Sequence, residues 1–132
     1  MSQENVELVK AFFGAYNARD SEAVDRLLHP DAEITTMTAR AGLPWRWTKG
    51  TTRQYFEHLD DAWTDLAIEI EEYRELGNRV VALGVMRGSG WSSHIDVDSA
   101  FAVVFEVSNS QFVLVDSYDS WTEALKAVGL EE

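Results

Sequence analysis

The change of hydrophobic period along the chain constrains its fold more than any other feature. In the first half, apolar side chains recur mainly at the three- and four-residue spacing of helices, interrupted by one short threonine-rich stretch. From about residue 68 to residue 119 they recur mainly at every second position, the spacing of strands. Helices followed by a run of strands predict an α+β fold.

The helical half predicts three helices and one strand. The first helix spans about 3 to 18, and the second is capped by Asp20 or Ser21 and ends at His29-Pro30. A strand is predicted over 32 to 38. A third helix begins after Thr51 and carries its packing side as far as Leu66.

The second half predicts a meander of long antiparallel strands and a short terminal helix. Strands are expected around 68 to 75, 79 to 87, 94 to 107 and 111 to 119, with turns at 77 to 78, 88 to 90 and 108 to 110. The last helix is expected over 122 to 128. A curved sheet wrapped around three helices leaves a cone-shaped pocket between the two layers.

Composition narrows the classes of partner. The 132 residues suit a single domain over 1 to 132, and a net charge of -12 disfavours nucleic acid and anionic membranes as partners. Cysteine is absent and the three histidines show no metal-ligand spacing, so we expect neither metal nor cofactor. The sequence shows no export signal or membrane span, which predicts a cytoplasmic protein.

Three separated blocks carry a family resemblance: NVELVKAFFGAYNARDSEAVDRLLHPDAEI, the segment from KGTTRQYF to VMRGSG, and SYDSWTEALKAVGL. Together they resemble the SnoaL-like proteins of the nuclear-transport-factor-two-like superfamily over nearly the whole chain. The resemblance implies a cone-shaped α+β barrel with a hydrophobic pocket. It implies no single activity, because this fold hosts cyclases, isomerases, hydrolases and binding proteins.

The ketosteroid isomerases of that superfamily make a poor functional match. Their general-base aspartate corresponds to a position near Thr36, and their two oxyanion donors correspond to positions near Phe12 and Phe101. A threonine hydroxyl is too weak a base, and a phenyl ring donates no hydrogen bond. Tyr16 lies one helical turn beyond Phe12, so its hydroxyl would need a different approach.

The resemblance to SnoaL-like cyclases makes Asp119 the candidate acid/base and His94 its assistant. Strand parity places Asp119 on the same face as Ser117, opposite Asp116 and Tyr118. Asp119 or Ser120 is equally suited to cap the last helix. His94 alternates onto one face with Asp96, and a hydrated pair at a hairpin end is the alternative to an acid/base pair.

The predicted pocket wall combines aromatic, aliphatic and a few polar side chains. It consists of Phe12, Tyr16, Thr36, Trp47, Phe56, Leu59, Trp63, Arg87, Phe101, Val103 and Ser117. Trp45 and Trp47 lie on a predicted loop and fit a lid or a dimer contact. Taken alone, Trp63 fits core packing better than a place on the pocket wall. Arg46 and Arg87 could pair with an anionic ligand group, but in so acidic a chain arginines more often pair with neighbouring carboxylates.

Two functions remain open from the sequence. One is a binding protein for a hydrophobic small molecule, acting as a homodimer through the outer face of the sheet. The other is a cofactor-independent enzyme that performs acid/base chemistry of the cyclase, isomerase or hydrolase type on a polycyclic or terpenoid-like substrate. A titratable group on the inner pocket wall would favour the enzyme hypothesis over the binding hypothesis.

Overall fold

The structure is a computed structural model, and it describes residues 2–36, 47–90 and 96–130. The helices are α1 (Ser2–Asn17), α2 (Ser21–Leu27), α3 (Thr52–Ala62) and α4 (Trp121–Ala127). The strands are β1 (Leu28–Thr35), β2 (Trp63–Leu76), β3 (Arg79–Gly90), β4 (Asp96–Ser108) and β5 (Gln111–Tyr118). The predicted α+β class, with a short terminal helix, is confirmed.

The strands form one mixed sheet in the order β1-β5-β4-β3-β2. β1 pairs with β5 in parallel, and the other neighbours are antiparallel. β1 and β2 lie at opposite edges, so within the described residues the sheet is open and does not close into the expected barrel.

The two faces of the sheet bury different clusters. The inner face packs against α1 and the loop before α3 through residues such as Phe12, Phe105 and Phe112. The outer face holds a smaller cluster in which Leu83 and Val104 pack against Leu125 of α4. The three N-terminal helices therefore lie on the inner side, whereas α4 covers part of the outer side.

Two bulges in β2 bend the sheet, and each lies opposite a glycine of β3. The register between β2 and β3 shifts between Thr64 and Ala67 and again between Ile70 and Glu72. A Cβ on Gly84 would lie 2.0 Å from the carbonyl oxygen of Glu69, and one on Gly88 would lie 2.9 Å from the Leu66 side chain. Both glycines thus permit the close approach of strands that bulges require.

The first bulge changes which residues of β2 face inward. Asp65 adopts a left-handed backbone with φ of 56°, and one extra residue of β2 is accommodated there. Side chains three positions apart, which would face opposite sides of a regular strand, can therefore both point inward. Trp63 and Leu66 do so.

Side-chain hydrogen bonds attach the end of α1 to β2. The Asn17 amide donates to the carbonyl of Ile68 at 2.8 Å and accepts from the Ile68 N–H at 2.9 Å. Arg19 donates to the carbonyl of Leu66 at 2.8 Å. Together these bonds fix the distance between the helix layer and the edge of the sheet.

Several predicted boundaries need correction. The third helix ends at Ala62, and Trp63 and Leu66 belong to β2 because they pair or pack beside the β3 glycines. β3 runs through the predicted turn to Gly90. Thr51 is the N-cap of α3 without a side-chain capping bond, since its hydroxyl instead accepts from the Thr48 N–H at 2.9 Å.

Among the four helices of the described segments, none combines the length and the apolar character that crossing a bilayer requires.

Candidate functional site

A cavity of about 160 Å³ lies between the helices and the inner face of the sheet. It is bounded by α1, by α3, by Trp47 in the segment before α3, and by the inward-facing residues of β2 to β5. Its walls are formed by Phe12, Phe13, Tyr16, Trp47, Tyr55, Leu59, Trp63, Leu66, Ile68, Met86, Phe101, Val103, Val115 and Ser117. The lining is therefore almost entirely apolar or aromatic.

The helix side of the cavity is a packed aromatic wall. Trp47 stacks on Tyr55 with ring centroids 4.5 Å apart and planes inclined by 13°. Phe12 lies beside Trp47 at 6.1 Å and beside Tyr16 at 6.2 Å. Offset and edge contacts of this kind stabilise aromatic clusters beyond the area they bury, so this wall is held in one arrangement.

The sheet side of the cavity follows from strand parity. Phe101 and Val103 alternate on β4, and Val115 and Ser117 alternate on β5, with Val103 directly opposite Ser117. From β3, Met86 lines the cavity. The Ser117 hydroxyl is thus a polar group in a floor that is otherwise apolar.

Two hydrogen-bonded tyrosines are the titratable groups of the described cavity wall. Burial raises the pKa of Tyr16 well above its ordinary value, and the hydrogen bond to Tyr55 raises it further. Burial also raises the pKa of Tyr55, whereas its bond with Tyr16 acts in the opposite direction. Both phenols therefore stay protonated and neutral at physiological pH.

A cation backs the aromatic wall without lining the cavity. The guanidinium of Arg19 lies 5.5 Å from the ring centre of Tyr16 and 5.7 Å from that of Phe56. It also donates to the Tyr16 carbonyl at 2.9 Å and to Asp60 at 3.0 Å. Arg19 thus supports Tyr16 from behind by cation–π and hydrogen-bond contacts.

Many of the residues predicted from the sequence meet at this cavity. Those that line it are Phe12, Tyr16, Trp47, Leu59, Trp63, Phe101, Val103 and Ser117. Trp47, which the sequence assigned to a lid or a dimer contact, is 4% exposed and forms part of the wall.

Three predicted wall residues lie elsewhere. Phe56 is buried behind the wall, where its ring meets the ring of Tyr16 edge-on at 5.3 Å. Thr36 is buried at the end of β1 and is not among the lining residues. Arg87 is on the outer face, since it has the opposite parity to Met86, and it pairs with Glu69 at 3.2 Å and Asp98 at 3.4 Å.

Of the two proposed catalytic residues, only Asp119 lies within the described part of the chain, and it does not line the cavity. Asp119 is exposed in the bend after β5, because the strand ends at Tyr118 before its alternation can carry Asp119 inward. Ser120, not Asp119, caps α4 by accepting from the Glu123 N–H. His94 lies outside the described residues, as do Trp45 and Arg46.

Sequence reasoning missed several wall residues. They are Phe13, Tyr55, Leu66, Ile68, Met86 and Val115. Strand parity could have found Met86 and Val115, because they share a face with Ala82 and Ser117. Tyr55 precedes Phe56 on the same helix, and only the tertiary packing decides that the ring of Tyr55, and not that of Phe56, reaches the cavity.

Within 2–36, 47–90 and 96–130, no group of three or more histidine, aspartate or glutamate side chains is arranged to hold a metal ion.

A family model described as the SnoaL-like domain matches residues 9–115. Comparison with curated protein sequences found no match.

Several solved structures share the fold. A nuclear-transport-factor-two-like protein of unknown function from Burkholderia pseudomallei K96243 is 20% identical, with 96% of this chain and 98% of that chain covered and a TM-score of 0.73. A hypothetical protein with a ketosteroid isomerase-like fold from Catenulispora acidiphila DSM 44928, in complex with trimethylamine, is 16% identical, with coverage of 94% and 93% and a TM-score of 0.75.

A polyketide cyclase candidate from Xanthomonas campestris pv. campestris is similar over the same extent. It is 18% identical, with 97% of this chain and 98% of that chain covered and a TM-score of 0.76. At such low identity these similarities show the fold and leave the chemistry to be argued from the cavity itself.

Proposed function

The chain belongs to the family of SnoaL-like domains, and on that premise we propose that it binds a small, neutral, hydrophobic molecule in the cavity between α1, α3 and the sheet. The observation that carries this proposal is an apolar cavity with aromatic walls that packing has left unfilled. Protein interiors are normally close-packed, so an unfilled apolar space is a natural binding site.

The size of the cavity favours a ligand of about one ring. An engineered apolar cavity of about 150 Å³ in another protein stays dry and binds benzene. The cavity here is about 160 Å³. A polycyclic or terpenoid-like molecule, the substrate class of the enzyme alternative, is larger than a single ring and matches this volume less well.

The electrostatics of the wall favour a neutral ligand. None of the lining residues in the described part of the chain carries a carboxylate, an imidazole or a cationic group. An ion entering the cavity would lose its hydration without gaining an ionic partner there. The trimethylamine of the Catenulispora structure shares the small size that we propose, although a protonated amine would lack a carboxylate partner on this wall.

The chemistry of the wall favours binding over acid/base catalysis. A general base must be unprotonated at the working pH and must reach the substrate. Tyr16 and Tyr55 have raised pKa values and hold their protons. Asp119, the carboxylate proposed from the sequence, is exposed outside the cavity.

A pair of valine variants tests the proposal. Val103 lines the cavity, whereas Val85 lies on the outer face of the neighbouring strand, where it is half-buried. We expect the wild-type protein to bind benzene saturably, and Val103→Phe to weaken binding by about tenfold or more because the new ring occupies the ligand's space.

Val85→Phe is the matched control and should bind benzene as the wild type does. Ligand-induced shifts of amide resonances give the affinity, and urea unfolding with and without benzene gives an independent measure of it. Absence of saturable binding to the wild type, or equal loss in both variants, would refute the proposal. Homodimerisation through the outer sheet face stays a separate prediction, which the sedimentation of the wild type can test.

A further inference from the structure

Three residues from separate parts of the chain form a hydrogen-bonded chain that ends on the cavity wall. The Trp47 indole Nε1 donates to the Thr52 Oγ1 at 2.8 Å, and the Thr52 Oγ1 donates to the Asp25 Oδ1 at 2.5 Å. Asp25 belongs to α2 and Thr52 is the first residue of α3. Thr52 is fully buried and Trp47 is 4% exposed.

The chemistry of the three groups allows one direction of donation. An indole N–H is only a donor, so the threonine oxygen must accept from it. The threonine proton is then directed to the carboxylate oxygen of Asp25, which accepts it in a short hydrogen bond. One arrangement therefore satisfies all three groups, and it fixes the rotation of the indole about its side-chain bonds.

Ring contacts hold the same indole from other directions. Tyr55 stacks on it at 4.5 Å, Phe12 lies at 6.1 Å and Tyr16 lies at 6.2 Å. The polar edge of the indole is directed to Thr52, and other parts of it line the cavity. A rotated indole would leave its buried N–H without this acceptor and would change the shape of the wall.

We infer that Asp25 and Thr52 are positioning residues for ligand binding, which act through Trp47 and set the shape of the cavity for a single hydrophobic ring. This inference rests on the proposed function and extends it to residues outside the lining, since neither Asp25 nor Thr52 lines the cavity. A preorganised wall binds more tightly because no ordering of side chains is needed when the ligand arrives.

Threonine variants test the inference. Thr52→Val keeps the shape of the side chain but removes both hydrogen bonds, and Thr52→Ser keeps the hydroxyl. In Thr52→Val we expect the indole proton of Trp47, assigned by its loss in Trp47→Phe, to exchange faster with solvent. We also expect benzene affinity to fall by about fivefold or more.

Thr52→Ser should restore both the protection of the indole proton and the affinity to within about twofold of wild type. Thr122→Val, on the exposed surface of α4, is the control and should change neither. Should Thr52→Val not fold, Asp25→Ala replaces it, because it removes the last acceptor of the same hydrogen-bonded chain. We then expect the Trp47 indole proton to exchange faster and the benzene affinity to fall, as in Thr52→Val.

The outcomes separate this inference from the proposed function. If the wild type fails to bind benzene, the proposed function fails and this inference fails with it. If the wild type binds and the folded variant that lacks the chain binds equally well, only this inference is overturned. It is also overturned if affinity falls but the Trp47 indole stays as protected as in the wild type, or if Thr52→Ser restores neither property.

Discussion

The indole of Trp47 lies nearly parallel to the ring of Tyr55, with centroids 4.5 Å apart, and the same tyrosine is hydrogen-bonded to Tyr16. This contact joins the segment before α3 to the first turn of α3, and the hydrogen bond joins α3 to α1. The N-terminal helix and the much later segment around the start of α3 thereby form one wall. The properties of that wall lead to predictions on pH, strand geometry and layer attachment.

Alkaline pH should destabilise the fold through the buried tyrosine pair. Folding raises the pKa of Tyr16 and Tyr55 above the ordinary value of 10.0, so above that pH the unfolded chain loses these protons first. The free energy of unfolding therefore falls as pH rises above the ordinary pKa, and their contribution is fully present below it.

Urea unfolding between neutral and alkaline pH measures this slope. Tyr16→Phe and Tyr55→Phe should each flatten it, because one group with a raised pKa has been removed. Tyr118→Phe serves as the control outside the cavity, where the tyrosine is only half-buried. Near-ultraviolet titration of tyrosinate should show the two cavity phenols ionising late or only with unfolding; early ionisation of both would contradict their burial.

Gly84 should tolerate no side chain. An added Cβ would lie 2.0 Å from a backbone oxygen of β2, so Gly84→Ala forces the strands apart at the second bulge. We expect a loss of more than about 2 kcal/mol in the free energy of unfolding. Gly14→Ala on α1 has nothing within 4 Å of its new Cβ and should be neutral or stabilising by up to about 1 kcal/mol.

The exposed Asp65 should respond to backbone conformation rather than to side-chain chemistry. Its φ of 56° favours glycine and penalises β-branched residues. Asp65→Gly should be neutral or slightly stabilising, whereas Asp65→Val should destabilise the protein by about 1 to 2 kcal/mol. Thermal unfolding of the two variants measures this difference in stability. Equal changes in stability for Asp65→Gly and Asp65→Val would show that the backbone conformation at this position does not control it.

Asn17 should be needed to keep β2 attached to α1. Asn17→Ala leaves the N–H and the carbonyl of Ile68 without their side-chain partners, which costs about 1 to 3 kcal/mol. Asn17→Asp keeps the acceptor and loses the donor. We therefore expect the Ile68 amide to exchange quickly in the alanine variant and to stay protected in the aspartate variant. Equal protection in all three proteins would contradict this attachment.

Most of the fold follows from patterns that the sequence displays. Regular helices and regular strands have fixed periods, so the apolar spacing placed α1, β4, β5 and α4 to within a few residues. Strand parity also separated Ser117, which lines the cavity, from Tyr118, which packs on the outer cluster. In a regular strand the face that a side chain occupies depends only on its position along the strand, so the sequence alone was sufficient to assign these two residues.

The start of β2 could not be predicted for a physical reason. The bulge at Asp65 places Trp63 and Leu66 on one face although they are three positions apart. That spacing is also the spacing of a helix, so the pattern extended the third helix beyond Ala62. The role that we infer for Asp25 and Thr52 was equally hidden, because the hydrogen bond between them joins residues 27 positions apart that only the tertiary fold brings together.

The most direct measurement of the central claim is a crystal structure of the protein grown with bromobenzene, whose bromine is located by its anomalous scattering. We predict one ordered ligand inside the cavity, in contact with Trp47 on the helix side and Val103 on the sheet side. No anomalous peak in the cavity at saturating bromobenzene, or peaks confined to the outer face of the sheet, would contradict the claim.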